Sequence, residues 1–160
     1  MTVYLLRHGI AENTASSGRD EDRELTGEGR EKLSALLQRA AKSGVKPDMI
    51  LTSPYKRAVQ TAKLASKALE GPEPVETDVL VPHSAPRSVW NEIRAHADAR
   101  ELLLAGHEPL FSHTVSYLLD APTLKVDFKK GALVAIDFDS LRGEPRGTLR
   151  WMLIPRLCGS

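Results

Sequence analysis

Arginine and histidine residues follow apolar segments at three separated places in this sequence. Arg7 and His8 come after Val-Tyr-Leu-Leu and precede Gly9. Arg57 lies five residues beyond Met-Ile-Leu-Thr, and His107 follows Leu-Leu-Leu-Ala-Gly. A neutral histidine can attack phosphorus through one ring nitrogen when a hydrogen bond holds the other, and guanidinium groups bind phosphoryl oxygens through paired N–H groups. These residue types are suited to binding and transferring a phosphoryl group.

Each of these residues also has a structural interpretation. His8 could cap the end of a strand, and Arg57 could face water. An arginine in the first turn of a helix is disfavoured by the helix dipole by about 0.3–1 kcal/mol, and a bound anion reverses that sign. Gly9 lets the backbone turn sharply and lacks the Cβ that would crowd a ligand. In its protonated form His107 could donate to phosphoryl oxygens and stabilise charge in the transition state.

The apolar pattern alternates between buried strands and amphipathic helices. Strands are predicted over residues 2–6, 49–52, 75–81, 101–105, 132–138 and 148–154. Four helices are predicted. The first starts after Thr26, and the second has Ser53 as N-cap and Pro54 as its first residue. The third starts near Val89 and ends at Ala99, and the fourth starts at Pro109. This order indicates one α/β domain over residues 1–160, a three-layer fold whose mostly parallel central sheet is flanked by helices. The last two strands form an antiparallel edge hairpin.

The carboxyl ends of parallel strands meet at one edge of a sheet, where ligands bind. The three basic segments all follow predicted strands, so we expect Arg7, His8, Arg57 and His107 to converge there. Residues 11–24 carry no hydrophobic period and are predicted to form a long surface loop. Loops of this length within a domain are usually functional or mobile.

The composition limits the partners and cofactors of the protein. With 22 Lys and Arg against 21 Asp and Glu, the net charge of +1 gives no overall field that attracts nucleic acid or a membrane. The one cysteine, Cys158, excludes an intrachain disulfide, and no group of residues has metal-ligand spacing, so no metal or other cofactor is expected. No apolar run approaches the roughly 20 residues that cross a bilayer, and the N-terminus lacks signal-peptide features. We expect a cytoplasmic protein.

The ordered set of motifs resembles the histidine phosphatase superfamily, the phosphoglycerate-mutase-like enzymes. The matching residues are Leu5-Leu6-Arg7-His8-Gly9, Leu25-Thr26 with Gly29, Thr52-Ser53-Pro54 with Arg57, Gln60, Thr61 and Ala62, and Gly106-His107. Arg-His-Gly alone would occur by chance in roughly one chain in a hundred of this length, so the whole set carries the resemblance. It extends through essentially the whole chain and is greatest to the short bacterial phosphohistidine phosphatases of the SixA group.

This resemblance implies a metal-independent phosphatase in which His8 is the phosphorylated nucleophile. Arg7, Arg57 and His107 would hold the phosphoryl group, with Gly9 beside it. Larger members carry insertions that cover the site and recognise a small substrate, and 160 residues leave no room for such a cap subdomain. An open site suits a phosphohistidine borne by another protein.

One departure from the family concerns the proton donor. Mutases and many phosphomonoesterases have a Glu after the third strand, whereas this sequence has Val-Pro-His-Ser-Ala-Pro over residues 81–86. An alkoxide leaving group needs a proton more than an imidazole does, so the departure weakens the ester alternative. His83 is a candidate proton donor, as are Glu12, Asp20 and Asp22. The alternatives are a phosphomonoesterase acting on a small phosphorylated metabolite and a non-catalytic phosphohistidine-binding module.

Overall fold

The apolar segment near the N-terminus forms strand β1 (Thr2–Arg7) at the centre of a mixed sheet in the computed structural model, which describes residues 1–159. Its side chains alternate between two hydrophobic clusters on opposite faces of the sheet. Val3 and Leu5 belong to one cluster, and Tyr4 and Leu6 belong to the other. Burial on both faces explains why the segment is apolar throughout, without a polar alternation.

Six strands form this sheet in the described part of the chain. They are β1, β2 (Met49–Thr52), β3 (Val75–Glu76), β4 (Glu101–Gly106), β5 (Leu133–Asp137) and β6 (Thr148–Leu153). Their order is β3-β2-β4-β1-β5-β6, with parallel pairing from β3 to β1 and antiparallel pairing of β5 with both β1 and β6. The predicted α/β domain, its mostly parallel sheet and its antiparallel hairpin are confirmed.

Two pairs of α-helices cover the two faces of the sheet. They are α1 (Gly27–Lys42), α2 (Lys56–Ala68), α3 (Pro86–Ala95) and α4 (Leu110–Leu118). Leu33 of α1 and Ala62 of α2 pack into the cluster that contains Leu6. Trp90 of α3 and Phe111 of α4 pack into the cluster that contains Leu5. Within residues 1–159, every helix is too short or too polar to cross a membrane.

The third strand is much shorter than predicted. The expected strand over residues 75–81 is limited to Val75–Glu76, which pairs with β2 at the edge of the sheet and is exposed. A 3₁₀ turn over Asp78–Leu80 follows, and the hydroxyl of Thr77 accepts a weak hydrogen bond from the Val79 amide at 3.4 Å. This turn directs Leu80 into the core with no exposed surface, which a continued edge strand would not do.

Two predicted helix boundaries are also wrong. Ser53 does not cap α2 but continues the pairing of the second and fourth strands, since its amide donates to the Ala105 carbonyl oxygen at 3.0 Å. The helix instead begins at Lys56, with Tyr55 as its N-cap. Helix α3 ends at Ala95 and not at Ala99, because residues 96–99 form a turn that leads into β4.

Helix α1 approaches the segment after β1 very closely. Its predicted cap is confirmed, since the hydroxyl of Thr26 accepts a hydrogen bond from the Gly29 amide at 2.9 Å. The Thr26 amide in turn donates to the Ile10 carbonyl oxygen. A Cβ on Gly29 would lie 2.2 Å from that same oxygen, which is backbone and cannot rotate away. Gly29 therefore permits the contact between α1 and the chain beyond His8.

We predict that Gly29→Ala lowers the free energy of unfolding by about 1–3 kcal/mol, because the new methyl group forces α1 away from Ile10. Gly27→Ala is the matched control, since its Cβ would meet no atom within 4 Å in the same helix. That control should leave stability unchanged or raise it slightly. Thermal unfolding of both variants measures the difference, and equal melting temperatures would contradict the steric account.

Candidate active site

His8 follows β1 and is buried, with 6% of its surface exposed. Its amide donates to the carbonyl oxygen of Gly106, the last residue of β4, at 2.9 Å. Its Nδ1 lies 2.7 Å from the carbonyl oxygen of Gly9. Because a carbonyl oxygen can only accept, Nδ1 carries the proton and the lone pair of the neutral ring is on Nε2. Nε2 is the ring atom that can attack an electrophile.

Gly9 contributes through its backbone. Its amide donates to the hydroxyl oxygen of Thr61 at 3.2 Å, and that hydroxyl donates to the Arg57 carbonyl oxygen at 2.8 Å. A Cβ on Gly9 would lie 2.6 Å from Cδ1 of Leu33 in α1. The missing Cβ therefore makes room for α1, and the placement of Gly9 beside a bound phosphoryl group stays a prediction.

Arg57 is the second residue of α2 and is 5% exposed, so the alternative that it faces water is wrong. Its Nε donates to Nε2 of His8 at 3.4 Å. Its Nη1 donates to the Asp20 carbonyl oxygen at 2.9 Å, and Nη2 pairs with the Asp20 carboxylate at 3.2 Å. The guanidinium also lies over the Tyr55 ring, 5.2 Å from its centroid. The Nε edge of Arg57 is thereby directed at the nucleophilic atom of His8.

His107 follows β4, and its ring centroid lies 5.1 Å from that of His8. Its Nε2 lies 2.8 Å from the hydroxyl oxygen of Ser53, which also accepts from the Tyr55 amide at 3.2 Å. Its buried Nδ1 has no hydrogen-bond partner among residues 1–159. If the Ser53 hydroxyl donates to Nε2, the proton of a neutral His107 is on Nδ1 and is available to an anion.

Arg7 completes the group as the last residue of β1. One terminal nitrogen, Nη1, donates to the Phe128 carbonyl oxygen at 2.6 Å. Its buried Nε, like Nδ1 of His107, has no partner in the described part of the chain. Two buried polar atoms without partners are costly unless a ligand or water satisfies them. Arg7, His8, Arg57 and His107 are thus brought together at the edge of the sheet where the sequence places them.

The remaining candidates have different surroundings. His83 is exposed in the turn before α3 and makes no hydrogen bond to any described residue. His113 is exposed on α4, and His96 forms an ion pair with Glu92 at 3.5 Å. The sequence interpretation missed Ser53 as the partner of His107, because Ser-Pro before a helix resembles a cap. It named Asp20 only as a proton donor and not as a partner of Arg57.

Comparison with known proteins identifies the family. The sequence model of the histidine phosphatase superfamily, branch 1, matches residues 3–80, which include Arg7, His8 and Arg57. An uncharacterized protein of Picosynechococcus sp. is 37% identical over 111 residues, which cover 68% of this chain and 67% of that protein. The chain belongs to the histidine phosphatase superfamily. Membership implies a hydrolase with a histidine nucleophile.

Members named SixA resemble this histidine phosphatase over nearly its whole length. The phosphohistidine phosphatase SixA of Escherichia coli is 26% identical over 161 residues, covering 97% of this chain and 94% of the relative. A structure of the protein histidine phosphatase SixA complexed with tungstate shares the fold, with a TM-score of 0.86 and 24% identity. It covers 98% of this chain and 99% of that one.

His8 and His107 are both held neutral at pH 7 in this histidine phosphatase. Burial, reinforced by the charges of Arg57 and Arg7, lowers the pKa of His8 to about 3, although its hydrogen bond to Gly9 opposes the shift. Burial, with neighbouring His8 and Arg57, lowers the pKa of His107 to about 2. The expectation of a protonated His107 therefore does not hold for this state, and any donation comes from the neutral ring. In residues 1–159 no three His, Cys, Asp or Glu side chains are grouped to bind a metal.

The lowered pKa of His107 predicts a specific pH dependence of stability. Below the ordinary histidine pKa of about 6.5, the unfolded chain takes up a proton that folded His107 does not, so stability falls as the pH falls toward the folded value. Replacing His107 by Asn should reduce this slope by about 1.4 kcal/mol per pH unit below pH 6. Urea unfolding at pH 7, 6 and 5 measures it.

His113→Asn, which removes an exposed imidazole from α4, is the control and should follow the wild type. Carboxylates titrate in the wild type and in both variants, so their contribution to the pH dependence of stability cancels when the variants are compared. Equal slopes for the wild type and His107→Asn would contradict the neutral, buried state of His107.

Proposed function

We propose that this histidine phosphatase removes the phosphoryl group from a phosphohistidine side chain of another protein through a covalent intermediate on His8. The observation that carries the proposal is the arrangement of His8, whose Nδ1 is fixed by Gly9 and whose unprotonated Nε2 faces the Nε edge of Arg57. A neutral nucleophile beside a fixed cation is what attack on an anionic phosphoryl group requires.

In the first step, the lone pair of His8 Nε2 forms a bond to phosphorus. The P–N bond of the substrate breaks in line, and its electron pair returns to the substrate imidazole, which leaves as a neutral ring when its second nitrogen is protonated. His8 keeps its Nδ1 proton and becomes a phosphoimidazolium. The Gly9 carbonyl oxygen at 2.7 Å from Nδ1 stabilises the positive charge that develops on this ring.

In the second step, water attacks phosphorus and the bond to His8 breaks. The electron pair returns to Nε2, so the ring leaves as neutral imidazole and needs no proton donor. The protons of the water molecule remain on inorganic phosphate or pass to solvent. Arg7 and Arg57 supply positive charge to the phosphoryl oxygens in both steps, and His107 donates from Nδ1. This scheme uses no metal ion.

The surroundings of the site favour a phosphoramidate over a phosphate ester. An alkoxide leaving group requires a nearby acid, but His83 is exposed and has no hydrogen bond to any described residue, and the Asp20 carboxylate beside Arg57 has a lowered pKa that favours its ionised form. Imidazole is a much better leaving group. The name of the Escherichia coli relative also supports phosphohistidine, and small phosphate esters are the alternative substrate class.

The connections around the site support an open active site without a cap subdomain. Residues 53–55 and 107–109 are short links, and residues 77–85 contain a single 3₁₀ turn. The longest connection, residues 8–26, also lacks an α-helix in the structure. A phosphoryl group on the surface of a folded protein could reach such a site, and we propose a phosphohistidine-bearing domain as the partner.

A comparison of substrates tests this proposal. We expect kcat/KM for a phosphohistidine-bearing protein to exceed the value for sugar phosphates by at least about 10², because a sugar alkoxide needs a proton donor to leave, whereas imidazole and the phenolate of p-nitrophenyl phosphate do not. Steady-state phosphate release measures all three. A preference for a sugar phosphate would favour the phosphomonoesterase, and binding of phosphohistidine without turnover would favour the binding module.

A further inference from the structure

Asp20, in the loop over residues 11–24, contacts the active site through both its backbone and its side chain. Asp20 begins a 3₁₀ turn, Asp20–Asp22, and contacts Arg57 twice. Its carbonyl oxygen accepts from Nη1 at 2.9 Å, and its carboxylate lies 3.2 Å from Nη2. The other carboxylate oxygen accepts from Arg23 at 2.8 Å. The carboxyl group is therefore held between two guanidinium groups.

These contacts divide the guanidinium of Arg57 between two partners. The edge formed by Nη1 and Nη2 is bound by Asp20, and Nε faces His8. A phosphoryl group on Nε2 of His8 would use the Nε side, so its oxygens and the Asp20 carboxylate would bind the same small cation at close range. Two anions on one guanidinium weaken each other's binding.

The Asp20 carboxylate is ionised at pH 7. Its hydrogen bond with Arg23, and then the charge of Arg57, lower its pKa. The carboxylate is 55% exposed, whereas Arg57 is almost completely buried. Asp20 thus reaches from a solvent-exposed position onto a buried cation.

We propose that Asp20 is a specificity-determining residue, a built-in anion that competes with free phosphate for Arg57. This inference rests on the proposed function and deepens it. Small phosphate anions, which depend on the two arginines for binding, are held weakly and released quickly after turnover. A phosphohistidine domain would be less affected, because its binding does not depend on the phosphoryl group alone.

Asp20→Asn tests the proposal, since it removes the charge and keeps the carbonyl contact and the shape of the side chain. Tungstate is the probe, as a tetrahedral dianion that binds without reaction. A unit charge at contact distance in water changes affinity by about fivefold, so the Kd for tungstate should fall at least that much. Calorimetric titration measures it, and the gain should shrink at high salt.

Two controls make the test specific. Asp22→Asn removes a carboxylate from the same turn that bonds Ser17 and not Arg57, and its Kd should stay within about twofold of the wild type. In an Arg57→Gln background, the gain in tungstate affinity from Asp20→Asn should be smaller than in the wild-type background, because the cation that both anions share is gone.

Unchanged or weaker tungstate binding in Asp20→Asn would overturn the proposal. An equal gain in tungstate affinity from Asp20→Asn in the Arg57→Gln background would also overturn it. Detectable binding in Asp20→Asn alone would support it, and absence of binding in every variant would overturn it. The proposed function fails separately, through loss of phosphohistidine turnover in the substrate comparison while the tungstate results stand. Normal turnover without the tungstate gain would overturn only the role of Asp20.

Discussion

The burial of His8, His107 and Arg57, together with half-buried Arg7, at the end of β1 and β4 is the constraint on which the site depends. Burial disfavours both charged forms, but it leaves an imidazole neutral at pH 7 while a guanidinium stays charged, because the ordinary pKa of a guanidinium lies far above 7. The result is two fixed cations beside two neutral rings. The hydrogen bond to the Gly9 carbonyl oxygen then places the proton of His8 on Nδ1 and leaves Nε2 unprotonated. The same loss of solvent therefore produces both the neutral nucleophile and the cations that bind an anion.

The fold brings these groups together through backbone register. Parallel pairing of β1 with β4 places Arg7 opposite Gly106, so the next residues, His8 and His107, are neighbours. Pairing of β2 with β4 places Ser53 beneath His107. The helices then fix the geometry from both sides, with Arg57 in the first turn of α2 and the close approach of α1 over residues 9 and 10.

Much of this arrangement is predictable from the sequence, because buried strands and amphipathic helices have distinct hydrophobic periods. The convergence of Arg7, His8, Arg57 and His107 follows from strand order alone. Features set by long-range hydrogen bonds are not predictable in this way. Ser53 resembles a helix cap until its contacts with β4 and His107 are seen, and the strand beyond Val75 ends because Leu80 turns into the core.

The same limit applies to Asp20, whose contact with Arg57 spans 37 residues of sequence. No local pattern in a polar loop identifies which carboxylate reaches a buried cation. Conversely, Gly9 looks like a ligand-binding glycine because it adjoins His8, and only the packing of Leu33 against it shows its steric role. The most direct measurement is to expose the ¹⁵N-histidine-labelled protein to phosphoramidate, quench it in alkali and locate the phosphoryl group by NMR. The account predicts an acid-labile, alkali-stable group on Nε2 of His8 that is absent from His8→Ala, whereas a group on Nδ1 or on another residue would contradict it.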